Sequence, residues 1–135
     1  MNEADAIRQI LTHARTIAVV GLSPNPGRPS HQVARSLQAR GYRIIPINPN
    51  ASEILGEKAY PSLTAAAQDQ VIEVVNCFRR SKEIPPLVDE ALAIKAKAVW
   101  MQLGISHAAA AQKAKMAGLR VVQNKCIKTE HAVLS

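Results

Sequence analysis

The segment VVGLSPNPGRPS, Val19 to Ser30, gathers residue types suited to holding an anion: Gly21, Ser23, Gly27, Arg28, Pro29 and Ser30. It begins like the first strand-to-helix turn of a nucleotide-binding α/β domain. The dinucleotide fingerprint G-x-G-x-x-G needs three glycines, for the tight turn, for close approach to a pyrophosphate and for helix packing on the strand. Here Gly21 and Gly27 are the only glycines, and Pro24, Pro26 and Pro29 stand among them. Gly21 lets a ligand pass close to the chain. Pro29 suits a first helical turn, where its missing N–H is not needed. The amides of Ser30 and His31 would then face an anion, joined by the Ser30 hydroxyl and the fixed charge of Arg28. Two readings stay open from the loop alone: a phosphate cradle built with proline, or a helix capped by Ser30 beside a solvated Arg28.

The end of the following strand carries a second signal. Folds that bind NAD place an Asp or Glu about 20 residues after the glycine loop to bond the ribose. The matching position is Asn48, within INPN, so an acidic ribose clamp is absent. Arg43 nearby adds charge that would favour an extra phosphate, although a solvent-facing strand end is the plainer reading. Cys126 stands beside Lys125, and a neighbouring cation can lower a thiol pKa. No His or carboxylate is placed by sequence as its base, so an inert buried thiol is the plainer reading for Cys126 and for Cys77. His13, His31, His107 and His131 lack metal-ligand spacing such as H-E-x-x-H and read as surface or capping residues. Glu130 and His131, adjacent in sequence, would point in different directions on a helix. No catalytic set and no metal site emerges.

These residues must be positioned by the elements around them. Residues 2–14 show a helical stripe at Ala6, Ile7, Ile10 and Leu11, and 16–20 (TIAVV) is a short β-branched run of the kind buried on both faces. A helix follows through Val33, Ala34 and Leu37 to Gly41. A strand is expected over 42–47, where Pro46 requires an end or edge placement. Asn48-Pro49-Asn50 is turn chemistry, residues 51–61 read as irregular, and Ser62 caps a short helix. Strands are expected over 71–78, 98–103 and 119–123, with a helix opened by Pro85 and another capped by Ser106 and stopped by Gly118. This alternation gives a doubly wound sheet of about five parallel strands with helices on both faces. Ligands bind such sheets beyond the carboxyl ends of the strands, at the switch point beside the first. Segments 21–30, 48–50, 76–80, 102–105 and 124–128 are therefore the candidates.

The bulk composition is compatible with this fold. A chain of 135 residues fits one domain spanning residues 1–135, and aromatics at 3% leave Val, Ile, Leu and Ala to fill the core. Seventeen Lys and Arg against ten Asp and Glu give a net charge of +7, which favours anionic partners. Trp100, Tyr42, Tyr60 and Phe78 are scattered rather than clustered as stacking platforms, which argues against nucleic acid as the partner. No apolar run approaches the roughly 20 residues of a membrane span, and the start of the chain lacks the pattern of a secretory signal. The cytoplasm is the expected compartment. A homodimer stays open, with no feature fixing an interface.

The stretches AVVGLSPNPGRPSHQVARSL, GYRIIPINPN, LGEKAYPSL, VVNCFRRS, VWMQLG and VVQNKCIKTEH occur in this order and cover nearly the whole chain. In these the chain resembles the small stand-alone CoA-binding proteins of Rossmann-like fold, whose domain is also similar to the N-terminal domain of the succinyl-CoA synthetase α subunit. The resemblance implies coenzyme A or an acyl-CoA as a noncovalently bound ligand, and a role as CoA carrier, sensor or accessory protein. It implies that Gly21, Ser23, Arg28, Pro29 and Ser30 line the pyrophosphate region and that Asn48 and Pro49 border the nucleotide. It further implies Arg43 at the 3′-phosphate, Phe78 and Arg79 beside the adenine or phosphates, and Gln102 and Gly104 towards the pantetheine arm. The phosphohistidine of the synthetase lies on a second domain with no counterpart in these residues. An NADP-dependent oxidoreductase is the alternative, since NADP suits the same basic, clamp-free features.

Overall fold

The computed structural model describes residues 2–134. The chain alternates strand and helix: α1 (Glu3–His13), β1 (Thr16–Val20), α2 (Pro29–Ala39), β2 (Arg43–Ile47), β3 (Glu53–Ile54), β4 (Glu57–Lys58), α3 (Leu63–Ala67), β5 (Val74–Cys77), α4 (Ile84–Ala93), β6 (Ala98–Met101), α5 (Ala108–Met116), β7 (Arg120–Val122) and α6 (Ile127–Leu134). Five strands form one parallel sheet in the order β2-β1-β5-β6-β7, and β3 and β4 form a separate antiparallel hairpin.

Because side chains alternate across a strand, each strand of the sheet feeds two cores. Ala18, Val20, Val75, Cys77, Val99 and Met101 pack under α3, α4 and α5. Ile17, Val19, Ile44, Val74, Trp100 and Val122 pack under α1, α2 and α6. Each fully buried Ile, Leu or Val contributes roughly 1.5–3 kcal/mol of transfer free energy, so two such layers hold the strands in one register. Pro46 lies on β2, an edge strand, as its missing donor demands. Its carbonyl accepts from Tyr60 N (3.0 Å), and Tyr60 O accepts from Asn48 N (2.9 Å), which covers the end of that edge.

Four local expectations are corrected. Residues 51–61 contain the β3–β4 hairpin, whose turn residues Leu55 and Gly56 both have positive φ (55° and 77°), the geometry usually encoded by Asn-Gly or Asp-Gly. The strand expected from residue 71 starts at Val74, and Val71 is exposed. His107, not Ser106, caps α5, its Nδ1 accepting from Ala110 N (3.1 Å). The segment after β7, to which the sequence pattern assigns no element, is largely α6. The Ile127 amide in its first turn donates to Gln102 Oε1 (3.1 Å), a partner 25 residues distant and invisible to local capping rules.

Candidate functional site

The loop after β1 is organised by its own side chains. Ser23 N donates to Ser30 Oγ (3.0 Å), Asn25 N to Ser23 Oγ (3.0 Å) and Gly27 N to Asn25 Oδ1 (2.9 Å). The buried His31 donates from Nδ1 to Ser23 O (3.0 Å), a brace that the surface-or-capping reading of this histidine missed. Short side chains that bond the backbone two residues on fix turns in this way.

Gly21 has φ +86°, and a Cβ there would lie 2.6 Å from the carbonyl oxygen of Phe78. The close exit of β5 by itself requires the glycine. Helix α2 starts with Arg28 as N-cap and Pro29 in the first turn. The amides of His31 and Gln32 both donate to Arg28 O (3.1 Å each), so the His31 amide does not face an anion as expected. Ser30 N–H and the Arg28 guanidinium have no partner within the described residues. Gly21, Ser23, Arg28, Pro29, Ser30 and Phe78 line one cavity of about 320 Å³. Its donor set, one amide at a helix N-terminus, a guanidinium and two serines, fits a phosphate or pyrophosphate.

The remaining expected site residues divide. Asn48 sits at the same edge, but its side chain is engaged: Nδ2 donates to Leu22 O (2.9 Å) and Oδ1 accepts from Asn50 N (2.7 Å). Pro49 beside it is exposed. Phe78 N donates to Val20 O (2.9 Å), and Phe78 and Arg79 are half-buried where β5 leaves the sheet. Gly104 (φ +85°) is exposed beyond β6, its amide donating to Asn124 Oδ1 (2.6 Å). Gln102 is buried and holds α6 rather than lining an open cavity. Arg43 is not brought to this edge. It is the first residue of β2, about 13 Å of strand away from the carboxyl end. There it lines a separate groove with Arg35, Tyr42 and Glu57.

The two thiols differ. Burial pushes the Cys77 thiol up to about 12, the inert group expected. Cys126 is half-buried at the start of α6. Burial would raise its pKa, yet hydrogen bonds from the Thr129 backbone and hydroxyl, the Gln102 side chain and the Lys128 backbone hold it below the ordinary thiol value. Helix-terminal donors rather than Lys125 have this effect, since Lys125 pairs with Glu3 (3.2 Å). No group of three or more metal-ligating side chains occurs among the described residues. His131 stacks edge-on against Tyr42 and contacts Arg40 (2.6 Å), the C-cap of α2, whereas the phosphate-type cavity lies at the N-terminus of that helix.

The CoA binding domain family matches residues 15–132. The chain belongs to the CoA-binding domain family. It is 44% identical over 127 residues to the uncharacterized protein YneT of Bacillus subtilis (strain 168), covering 94% of this chain and 93% of that protein. A solved structure of a hypothetical protein from Pyrococcus horikoshii OT3 superposes with a TM-score of 0.91 at 40% identity, covering 99% of this chain and 92% of that one. A 55-residue stretch is 38% identical to the acetate–CoA ligase (ADP-forming) II of Archaeoglobus fulgidus, covering 39% of this chain and 8% of the ligase. The family membership agrees with the expected fold: a single α/β domain with a five-stranded parallel sheet. No helix among the described residues is long and apolar enough to cross a membrane.

Proposed function

We propose that this CoA-binding domain holds coenzyme A or an acyl-CoA noncovalently along the carboxyl edge of the sheet and acts as a carrier, sensor or accessory protein for it. The observation that carries the reading is the 320 Å³ cavity, in which Arg28 and the Ser30 amide converge without partners at the start of α2. A pyrophosphate there would accept from the Ser30 N–H and the Arg28 guanidinium, with the dipole of α2 adding to both. The adenine side of the ligand would run towards Asn48 and Pro49, and the pantetheine arm over Phe78 towards β6. Asn48 then serves as a bracket that fixes the loop, while Arg43 contributes only to the general positive field.

Calorimetric titration with CoA, 3′-dephospho-CoA and NADP tests this. CoA is expected to bind at micromolar or better affinity and NADP much more weakly. Binding of NADP without CoA would overturn the proposal in favour of a dinucleotide-dependent reaction.

A further inference from the structure

Asn76 is the most anomalous polar residue of the fold. Its side chain is 0% exposed, and neither Oδ1 nor Nδ2 has a hydrogen-bond partner. A carboxamide buried without partners costs several kcal/mol, because all of its hydrogen bonds to water are lost on folding. Asn76 alternates with Val75 and Cys77, so it faces the layer under α1, α2 and α6, between Val19 on β1 and Trp100 on β6. Neither flanking residue supplies what it lacks: Val19 is apolar, and Trp100 Nε1 donates to Lys125 O (2.8 Å).

The surroundings give this orphaned amide a direction. Two residues further along the chain, just past the end of β5, stands Phe78, which packs on the same cluster and lines the phosphate-type cavity. Phe78 and Cys126 are only partly buried and pack on the cluster that holds Val19, Trp100 and Ile127, all buried. Asn76 thus lies fully buried two residues before Phe78, outside the lining of the cavity, and Phe78 is the side chain over which an arm leaving the cavity towards β6 must pass. Resting on the proposed function, we infer that Asn76 is a binding residue for the amide-bearing arm of the ligand: its carboxamide pairs with a peptide-like amide of pantetheine once the Phe78 ring yields. Neutral amide against neutral amide matches both the donor and the acceptor that Asn76 leaves unmet.

The test compares CoA with adenosine 3′,5′-bisphosphate, which shares the nucleotide end and lacks the arm. In Asn76→Leu, an apolar side chain of similar size, CoA affinity is expected to fall about tenfold, the equivalent of one or two hydrogen bonds, with bisphosphate affinity unchanged. In the unaltered protein the side-chain ¹⁵NH₂ resonance of Asn76 is expected to shift on adding CoA and to stay in place on adding the bisphosphate, a readout independent of how the variant folds. Equal effects of Asn76→Leu on both ligands, or a resonance indifferent to CoA, would overturn the inference and leave Asn76 as the anchor of a buried water. If the unaltered protein binds neither ligand, the proposed function itself falls and this inference with it.

Discussion

At the amino edge of the sheet, Glu73 Oε1 accepts from Arg15 N (2.8 Å), Thr16 N (3.0 Å) and Thr16 Oγ1 (3.0 Å), tying the starts of β1 and β5 together. At the carboxyl edge, across the same two strands, the Arg28 guanidinium and the Ser30 amide end without partners above a cavity. Both edges present backbone donors and charged side chains, and both need them satisfied. The amino edge ties its backbone donors to Glu73 and so reads as structure there, although the Arg43 guanidinium and the buried Arg120 Nε have no partner among the described residues. The carboxyl edge holds its loop rigid through Ser23, Asn25 and His31 and still leaves two strong donors free. A rigid loop with unmet donors is pre-organised for an anion, which distinguishes a site from a merely exposed turn.

The comparison breaks most visibly at Gly21, where the rigidity of the carboxyl edge originates. A methyl group there would meet the Phe78 carbonyl at 2.6 Å on a backbone already at φ +86°. Gly21→Ala should therefore combine backbone strain with overpacking and destabilise the fold by roughly 2–5 kcal/mol. Thermal unfolding reads this directly. A variant with an unchanged melting temperature would show that the Phe78 turn yields freely and that the loop is not pre-organised.

A next, smaller effect separates the edges by ligand. Arg28→Ala should weaken CoA binding by about 1–3 kcal/mol without altering the melting temperature, since it removes a charge-assisted contact and no internal one. Arg43→Ala, at the other edge, should leave affinity nearly unchanged. Equal losses in the two variants would mean that only the summed field matters, and the distinction between edges would fail in calorimetric titration.

The division between what the sequence reveals and what it hides follows the range of the forces involved. The five strands show as short β-branched runs, and Gly21, Ser23, Arg28, Pro29 and Ser30 do come together in one cavity, because both depend on near neighbours in the chain. Helix α6 escapes because Gln102, far upstream, satisfies its first turn. The β3–β4 hairpin escapes because Leu55 adopts a positive φ that local propensity opposes, aided by Gln38 Nε2 donating to Leu55 O (3.0 Å). Arg43 is a different case: a strand over 42–47 already sets it at the amino end, away from the extra phosphate that its charge and the family resemblance both suggest. Asn48 shows the limit of position alone, since it reaches the correct edge yet has its amide engaged by Leu22 and Asn50.

The smallest effect sharpens the amino edge by pH. Burial alone would raise the pKa of Glu73, but the hydrogen bonds from Arg15 N, Thr16 N and the Thr16 hydroxyl, with the nearby Arg15 charge, hold it below the ordinary carboxylate value. A carboxylate with a depressed folded-state pKa binds protons less readily than in the unfolded chain, so its stabilising contribution is complete above the unfolded value of about 4.3. That contribution is lost as pH falls through the lower folded-state value. Glu73→Gln, which keeps the shape and one acceptor but cannot ionise, should be less stable than the unaltered protein at neutral pH. The difference should shrink steadily below about pH 4. Chemical denaturation at a series of pH values measures it. A difference between the two proteins that stays constant down to pH 2 would show that the carboxylate charge is not what joins β1 to β5, and the contrast between backbone donors tied at the amino edge and left free at the carboxyl edge would lose its electrostatic basis.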